Sequence, residues 1–155
     1  MTIRGILPEE TTLLNNFLYE AIFVPEGYPK PPRSIIEQED LQVYVRDFGK
    51  KPDDHCLVAE MDGKIIGAVW IRIMDDYGHI DDETPSLAIS LYKEYRGQGI
   101  GTQLLRRMLG NLYAYGYARV SLSVQKANYA LRMYQKVGFR IVEDRGEEVL
   151  MVWGS

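Results

Sequence analysis

The sequence predicts a single α+β domain. Three observations carry this expectation. Apolar residues recur at helical spacing from Leu13 to Ile22, two β-rich runs flank the turn dipeptide Asp62-Gly63, and an apolar run from Ser86 passes through three alternate glycines into a leucine stripe ending at Leu112. The chain has 155 residues, enough for one compact domain with its own core and too few to suggest a second. With 46% hydrophobic and 26% charged residues, its composition excludes the disordered and collagenous classes.

Taken in order, residues 2–6 read as a short first strand. Pro8-Glu9-Glu10 is a helix-start signal with acidic residues in the first turn, and Leu13, Leu14, Phe17, Leu18, Ala21 and Ile22 form the buried face of the helix that follows. Four prolines and a glycine between Val24 and Pro32 exclude a helix there and predict an ordered loop or lid. A second amphipathic helix is expected after Ser34, carrying Ile35, Ile36, Leu41, Val45 and Phe48 and stopping at Gly49, with Pro52 just beyond. CLVAEM and KIIGAVWIRIM, joined by Asp62-Gly63, predict a tight hairpin. An acidic loop, DDYGHIDDETP, leads to the short buried strand SLAISLY. Leu104, Leu105, Met108, Leu109 and Leu112 then mark a helix, and Ala118, Val120, Leu122 and Val124 alternate with polar residues as a strand. Asn128 to Val137 is a short helix stopped by Gly138, and FRIVEDR, Gly146 and EEVLMVW close the chain as a hairpin.

Several function classes fall away at this stage. A net charge of −4 gives little support to general nucleic-acid binding, and no apolar run approaches the ~20 residues of a membrane span. The single cysteine, Cys56, cannot pair within the chain, and the first residues lack the cationic and apolar regions of a secretion signal, so a reducing cytoplasm is the expected setting. His55 and His79 have no serine or cysteine partner at a hydrolase spacing. Adjacent Asp81, Asp82 and Glu83 cannot all turn toward one ion, and no metal is expected. The acidic loop itself either attracts a cationic amine or is a solvated turn.

The stretch YRGQGIGTQLL carries the chemistry. A helix N-terminus presents unpaired N–H groups and about half a unit of positive charge, and glycine before it lets a ligand approach the backbone. It is therefore either an anion cradle or a plain strand-to-helix turn. The dinucleotide pattern G-x-G-x-x-G fails because Thr102 occupies the last glycine position, and the phosphate-loop pattern fails because Gly49-Lys50 is followed by Lys51 and Gly63-Lys64 by Ile65.

Arg96-Gly97-Gln98-Gly99-Ile100-Gly101 resembles the Q/R-x-x-G-x-G/A signature of the GCN5-related N-acetyltransferases, with the strand before and helix after that the family has. Downstream, Asn128, Ala130, Tyr134 and Gly138-Phe139 resemble its N-x-A-x-x-x-Y-x-x-x-G-F segment. The likeness in element order spans nearly the whole chain. It implies a central mixed, mostly antiparallel sheet flanked by helices and splayed near Leu91, with acetyl-CoA as cosubstrate and an amine of a small molecule or peptide as acceptor. The family's roles imply that the amides of Arg96, Gly97, Gln98, Gly99, Ile100, Gly101 and Thr102 hold the pyrophosphate. They imply that Leu91 and Tyr92 hydrogen-bond the pantetheine arm, and that the Leu91 amide also polarises the thioester carbonyl.

Asn128 matches the family position near the thioester, and its place before a helix equally suits an N-cap. Tyr134 matches the frequent general acid, although its spacing also suits a core aromatic. Glu83 is the nearest carboxylate to the central strand and the candidate general base, with Pro85 a departure from the clearest family pattern. Lys93, Arg96, Lys126, Arg132 and Lys136 flank the two motifs as phosphate partners or as solvated surface. A non-catalytic acyl-CoA sensor is the alternative to an enzyme. Terminal strands at a sheet edge would permit a homodimer.

Overall fold

The computed structural model describes residues 1–155. Its centre is one sheet of strands β1 (Thr2–Gly5), β2 (His55–Met61), β3 (Lys64–Arg72), β4 (Ser86–Leu91), β5 (Arg119–Gln125), β6 (Arg140–Asp144) and β7 (Glu148–Gly154), in the order β1-β2-β3-β4-β5-β7-β6. Every neighbouring pair is antiparallel except β4 and β5. The sheet is therefore mixed and mostly antiparallel, as the family resemblance implied. No helix is long and apolar enough to cross a membrane.

The β2–β3 hairpin turns at Asp62 and Gly63, both at positive φ (52° and 78°), the backbone that a two-residue turn between twisted strands requires. Alternation along β3 then loads two cores. Val69 and Ile71 join a cluster with Leu104, Leu105 and Met108 of helix α3 (Ile100–Asn111) and Tyr134 of helix α4 (Ala130–Val137). Ala68 and Trp70 face the other way, against Leu14, Phe17 and Leu18 of helix α1 (Leu14–Ala21). The expected start at Pro8 is present, as a 3-10 stretch from Pro8 to Leu13 that leads into α1. The Glu10 carboxylate accepts the Leu7 N–H and the Arg4 guanidinium, tying this entry to β1.

The helix expected from Ser34 to Phe48 is not continuous. A 3-10 stretch (Arg33–Glu37) breaks at an extended Gln38, a one-turn helix α2 (Glu39–Gln42) follows, and turns continue to Gly49. After α2, tertiary donors take carbonyls a helix would use: Trp70 Nε1 donates to the Tyr44 carbonyl, and Arg72 Nη1 to those of Val43 and Arg46. Ile36, Val45 and Phe48 are still buried, so the apolar spacing marked burial and not a regular helix. Arg72 also makes two 3.0 Å bonds to Asp54, an ion pair almost sealed from solvent.

The feature that positions the site lies at the sheet centre. β4 and β5 share a single parallel pairing, Ser86 with Ser121, at the start of β4. Beyond it the strands make no further pairing, leaving a gap between their facing edges toward Leu91.

Candidate functional site

Hydrogen-bond alternation decides what faces this gap. Tyr92 N–H donates to Ile66 O at 3.0 Å, and Leu91 lies opposite Gly67. In an antiparallel ladder successive residues turn their backbone groups to opposite sides. The even-numbered residues of β4 therefore serve β3, while the amides of Ile89 and Leu91 point toward β5, which has moved away. Ser121 N–H bonds Pro85 O across the one point of contact, so Ser123 likewise turns its backbone groups into the gap.

The glycine turn begins where β4 ends. Its amides from Gly97 to Gly99 find no acceptor within the chain, and Ile100, Gly101 and Thr102 form the first turn of α3, whose N–H groups have none inside a helix. Gly97 and Gly99 sit at φ 76° and 84°, a backbone region that penalises any side chain, and a Cβ at either would project into open space. The result is a continuous row of free donors at a helix N-terminus, backed by the helix dipole. Arg96 does not belong to this row, because its amide donates to Lys93 O. Its guanidinium is also committed, to the Leu91 carbonyl at 3.1 Å and to the Glu20 carboxylate at 2.9 Å, which ties the end of β4 to the end of α1. That structural role of Arg96 was not visible in the sequence.

Gly101 differs from its neighbours. A Cβ there would meet Met133 Sδ at 3.4 Å and Leu91 Cδ1 at 3.9 Å, so this position faces α4 and β4 at ordinary contact distance and does not open onto a ligand. The same contact brings α4 beside the glycine turn. Gly67 is tighter: a Cβ would stand 2.0 Å from Leu91 Cδ2. Gly67 thereby reserves the space in which Leu91 sits.

Tyr134 is buried on α4, with its ring edge-on to Phe139 at 5.6 Å. Burial pushes its phenol above the ordinary value, so it keeps its proton at neutral pH. The hydroxyl has no hydrogen-bond partner in the chain and is not sealed from solvent. Asn128 Oδ1 accepts the Ala130 N–H at 2.9 Å, which is the capping role, and its Nδ2 makes no bond within the chain. Tyr92 turns its ring to the α1 face, 4.9 Å from Phe17, with its hydroxyl taking a bond from Asn16.

Glu83 is not brought to this assembly. It is exposed in the loop before Ser86, and β4 separates that end from Leu91 by roughly 17 Å at ~3.3 Å per residue. Asp81 and Arg119 hold the loop in place at 2.6 Å, and the Glu83 N–H bonds Asp81, so the carboxylate stays at the wrong end of the strand. A carboxylate overlooked in the sequence lies on the strand beside β5. Glu148 on β7 accepts Ser123 Oγ at 2.9 Å, next to the gap. Its only signal is an alternating position in EEVLMVW, and nothing local shows that β7 lies beside β5.

The chain matches the model of the acetyltransferase (GNAT) family over residues 16–139. It is 32% identical over 129 residues to an N-alpha-acetyltransferase of Sulfurisphaera tokodaii, covering 77% of this chain and 70% of that one. Among solved structures, it resembles an acetyltransferase of the GNAT family from Streptococcus pneumoniae with a TM-score of 0.73, 25% identity and 99% of each chain covered. The fold is also that of the PaiA N-acetyltransferase from Thermoplasma acidophilum in complex with coenzyme A, at TM-score 0.72 and 22% identity over 99% of this chain and 98% of that one. A splayed sheet, a row of free amides at a helix start and a matching family model lead to one conclusion: the chain belongs to the GNAT family of acetyltransferases.

Proposed function

We propose that the chain acetylates the primary amine of a small molecule or peptide by direct attack on acetyl-CoA at the β4–β5 gap. An acetyl-CoA-dependent N-acetyltransferase is what its family makes it; the roles of individual residues are the further step. The observation that carries them is the run of unsatisfied amides from Gly97 to Thr102 lying beside the unpaired edge of β4.

Those amides suit a diphosphate, which needs several donors and close backbone approach. The backbone of Leu91 and Tyr92 suits the extended arm that follows, and the Leu91 N–H, aimed into the gap, suits a carbonyl oxygen that gains negative charge during transfer. Asn128 keeps a free amide donor at the start of α4. Tyr134 stays protonated, which suits it to supply the leaving sulfur with a proton. Direct attack is supported by the state of Cys56, which is buried in β2 with its thiol pushed up by burial and so is unsuited to carry an acyl group.

The acceptor then enters from the α1 face, opposite the glycine turn. The N-alpha-acetyltransferase relative favours a peptide α-amine among the acceptors to be tried. A cytoplasmic setting agrees with the single unpaired thiol. A homodimer, where formed, would use the edge strand β6, on which Ile141 and Val142 are 46% and 48% exposed.

The test is release of free thiol from acetyl-CoA in the presence of an amine panel that includes peptides with free N-termini. Acceleration by an amine is expected. Tight coenzyme binding with no accepted amine would point instead to an acyl-CoA sensor.

A further inference from the structure

An amine at neutral pH is mostly protonated, so transfer needs a group that removes a proton before or during attack. Glu83 is remote. A replacement must reach the gap from the face on which the acceptor enters. Val120, Leu122 and Val124 of β5 pack toward α3 and α4, so Ser121, Ser123 and Gln125 project to the opposite face. Ser90 Oγ donates to Phe17 O of α1 on that face, and Ser121 Oγ to Gly78 O. On the same face of β5, at its Gln125 end, Tyr77, Gln125, Arg145, Glu147 and Glu148 line an open cavity of about 530 Å³.

Register gives the height of this cavity along the sheet. Carrying the Ser86–Ser121 pairing forward sets Ser123 level with Ala88 and Gln125 level with Ser90. Glu148 lies directly opposite Gln125 in the β5–β7 ladder. The Glu148 backbone is therefore level with Ser90, and its carboxylate, bonded to Ser123, lies between the levels of Ala88 and Ser90 on the strand beyond β5. The Ser123 hydroxyl draws it toward β5 and hence toward the gap.

Apart from Glu147, which is exposed in the turn before β7, the other nearby carboxylates are occupied. Glu20 is paired with Arg96, Asp81 with Arg119, Glu143 with Arg145 and Asp144 with Lys126. Asp76 accepts the Ser86 hydroxyl. Glu148 has no cationic partner in the chain. The groups facing it are Ser123 and Gln125 of β5, Tyr77 of the preceding loop, and Arg145 and Glu147 of the β6–β7 turn.

We propose that Glu148 is the general base of the acetyl transfer and that Ser123 is its positioning residue, an assignment that rests on the function proposed above. As the amine nitrogen forms its bond to the acetyl carbon, the N–H proton passes to the Glu148 carboxylate, directly or through one water. The carbon–sulfur bond breaks, the sulfur takes a proton from the Tyr134 hydroxyl, and both groups re-equilibrate with solvent. The cavity around Glu148 also accepts the cationic form of the amine before that proton leaves.

The test compares wild type with Glu148→Gln in amine-dependent thiol release across pH 6–10, alongside the melting-temperature shift produced by acetyl-CoA. The expected result is a loss of kcat/KM of about 100-fold near neutral pH. That loss should shrink toward high pH, where the amine arrives unprotonated, with the acetyl-CoA shift unchanged. Ser123→Ala should lose severalfold with a profile of the same shape. A Glu148→Gln profile within about twofold of wild type, or a loss uniform across pH, overturns the assignment, since a purely structural role would act evenly. If Glu148→Gln does not fold, Glu148→Asp serves the same comparison: a pH-dependent deficit supports the base and a flat ratio overturns it. Wild-type protein that releases no thiol with any amine sinks the proposed function itself, an outcome distinct from an active wild type with an indifferent Glu148.

Discussion

Replacing Gly99 by alanine separates the two jobs of the glycine turn. Gly99 sits at φ 84°, where an L-residue costs about 1–2 kcal/mol, and a Cβ there touches nothing within 4 Å. The expected stability loss is therefore the backbone strain alone, a fall in melting temperature of about 2–8 °C for a domain of this size. The effect on acetyl-CoA should be larger. A methyl group in the open space before the free amides holds a phosphate away from at least one charge-assisted hydrogen bond worth about 1.5–3 kcal/mol, or roughly 10- to 100-fold in affinity.

Gly101→Ala is the internal control. Its Cβ meets Met133 Sδ and Leu91 Cδ1 at ordinary contact distances, its φ is unexceptional, and helix propensity favours alanine by up to about 1 kcal/mol. It should retain stability and bind acetyl-CoA within about threefold of wild type. Calorimetric titration of acetyl-CoA into the three proteins, with a thermal melt of each, decides the matter. A Gly99→Ala protein that binds as wild type does, or a Gly101→Ala protein that loses as much as Gly99→Ala, would refute the cradle.

Tyr134→Phe should lower kcat by about 100-fold or more while leaving acetyl-CoA affinity and the melting temperature nearly unchanged, because the hydroxyl makes no bond in the fold; undiminished kcat removes its proposed role. Asp54→Ala leaves the Arg72 guanidinium buried without its partner and should cost about 3–5 kcal/mol in urea unfolding, with the full loss seen in the absence of any ligand. The Arg4 guanidinium and the Leu7 N–H hold the Glu10 carboxyl down at about 2. Its contribution to stability is thus present above the ordinary carboxylate value near ~4.3 and lost as pH falls through about 2. Glu10→Gln should melt lower than wild type at pH 6, and the difference should close by pH 2; a constant difference would rule this linkage out.

Much of the molecule was legible from local chemistry. Asp62-Gly63 specifies a turn through backbone angles that few other pairs adopt, and the stripe from Leu104 to Leu112 specifies a helix through its period. YRGQGIG could be read as a family motif because its glycines answer a local need at Gly97 and Gly99. The second helical segment was misread for a physical reason. Apolar spacing reports which residues are buried, and Trp70 and Arg72 took carbonyls that a regular helix would have kept for its own amides.

What the linear chain determined by itself was the menu of elements, the two motifs and the family they indicate. Tertiary structure decided which groups meet. Strand order β4-β5-β7 joins residues far apart in the chain, so no local signal could bring Glu148 beside Ser123, whereas the length of β4 alone separates Glu83 from Leu91. The single Ser86–Ser121 pairing is likewise a property of the sheet. Hydrogen bonds that a strand fails to make depend on where its neighbour goes, and that is set by packing at long range.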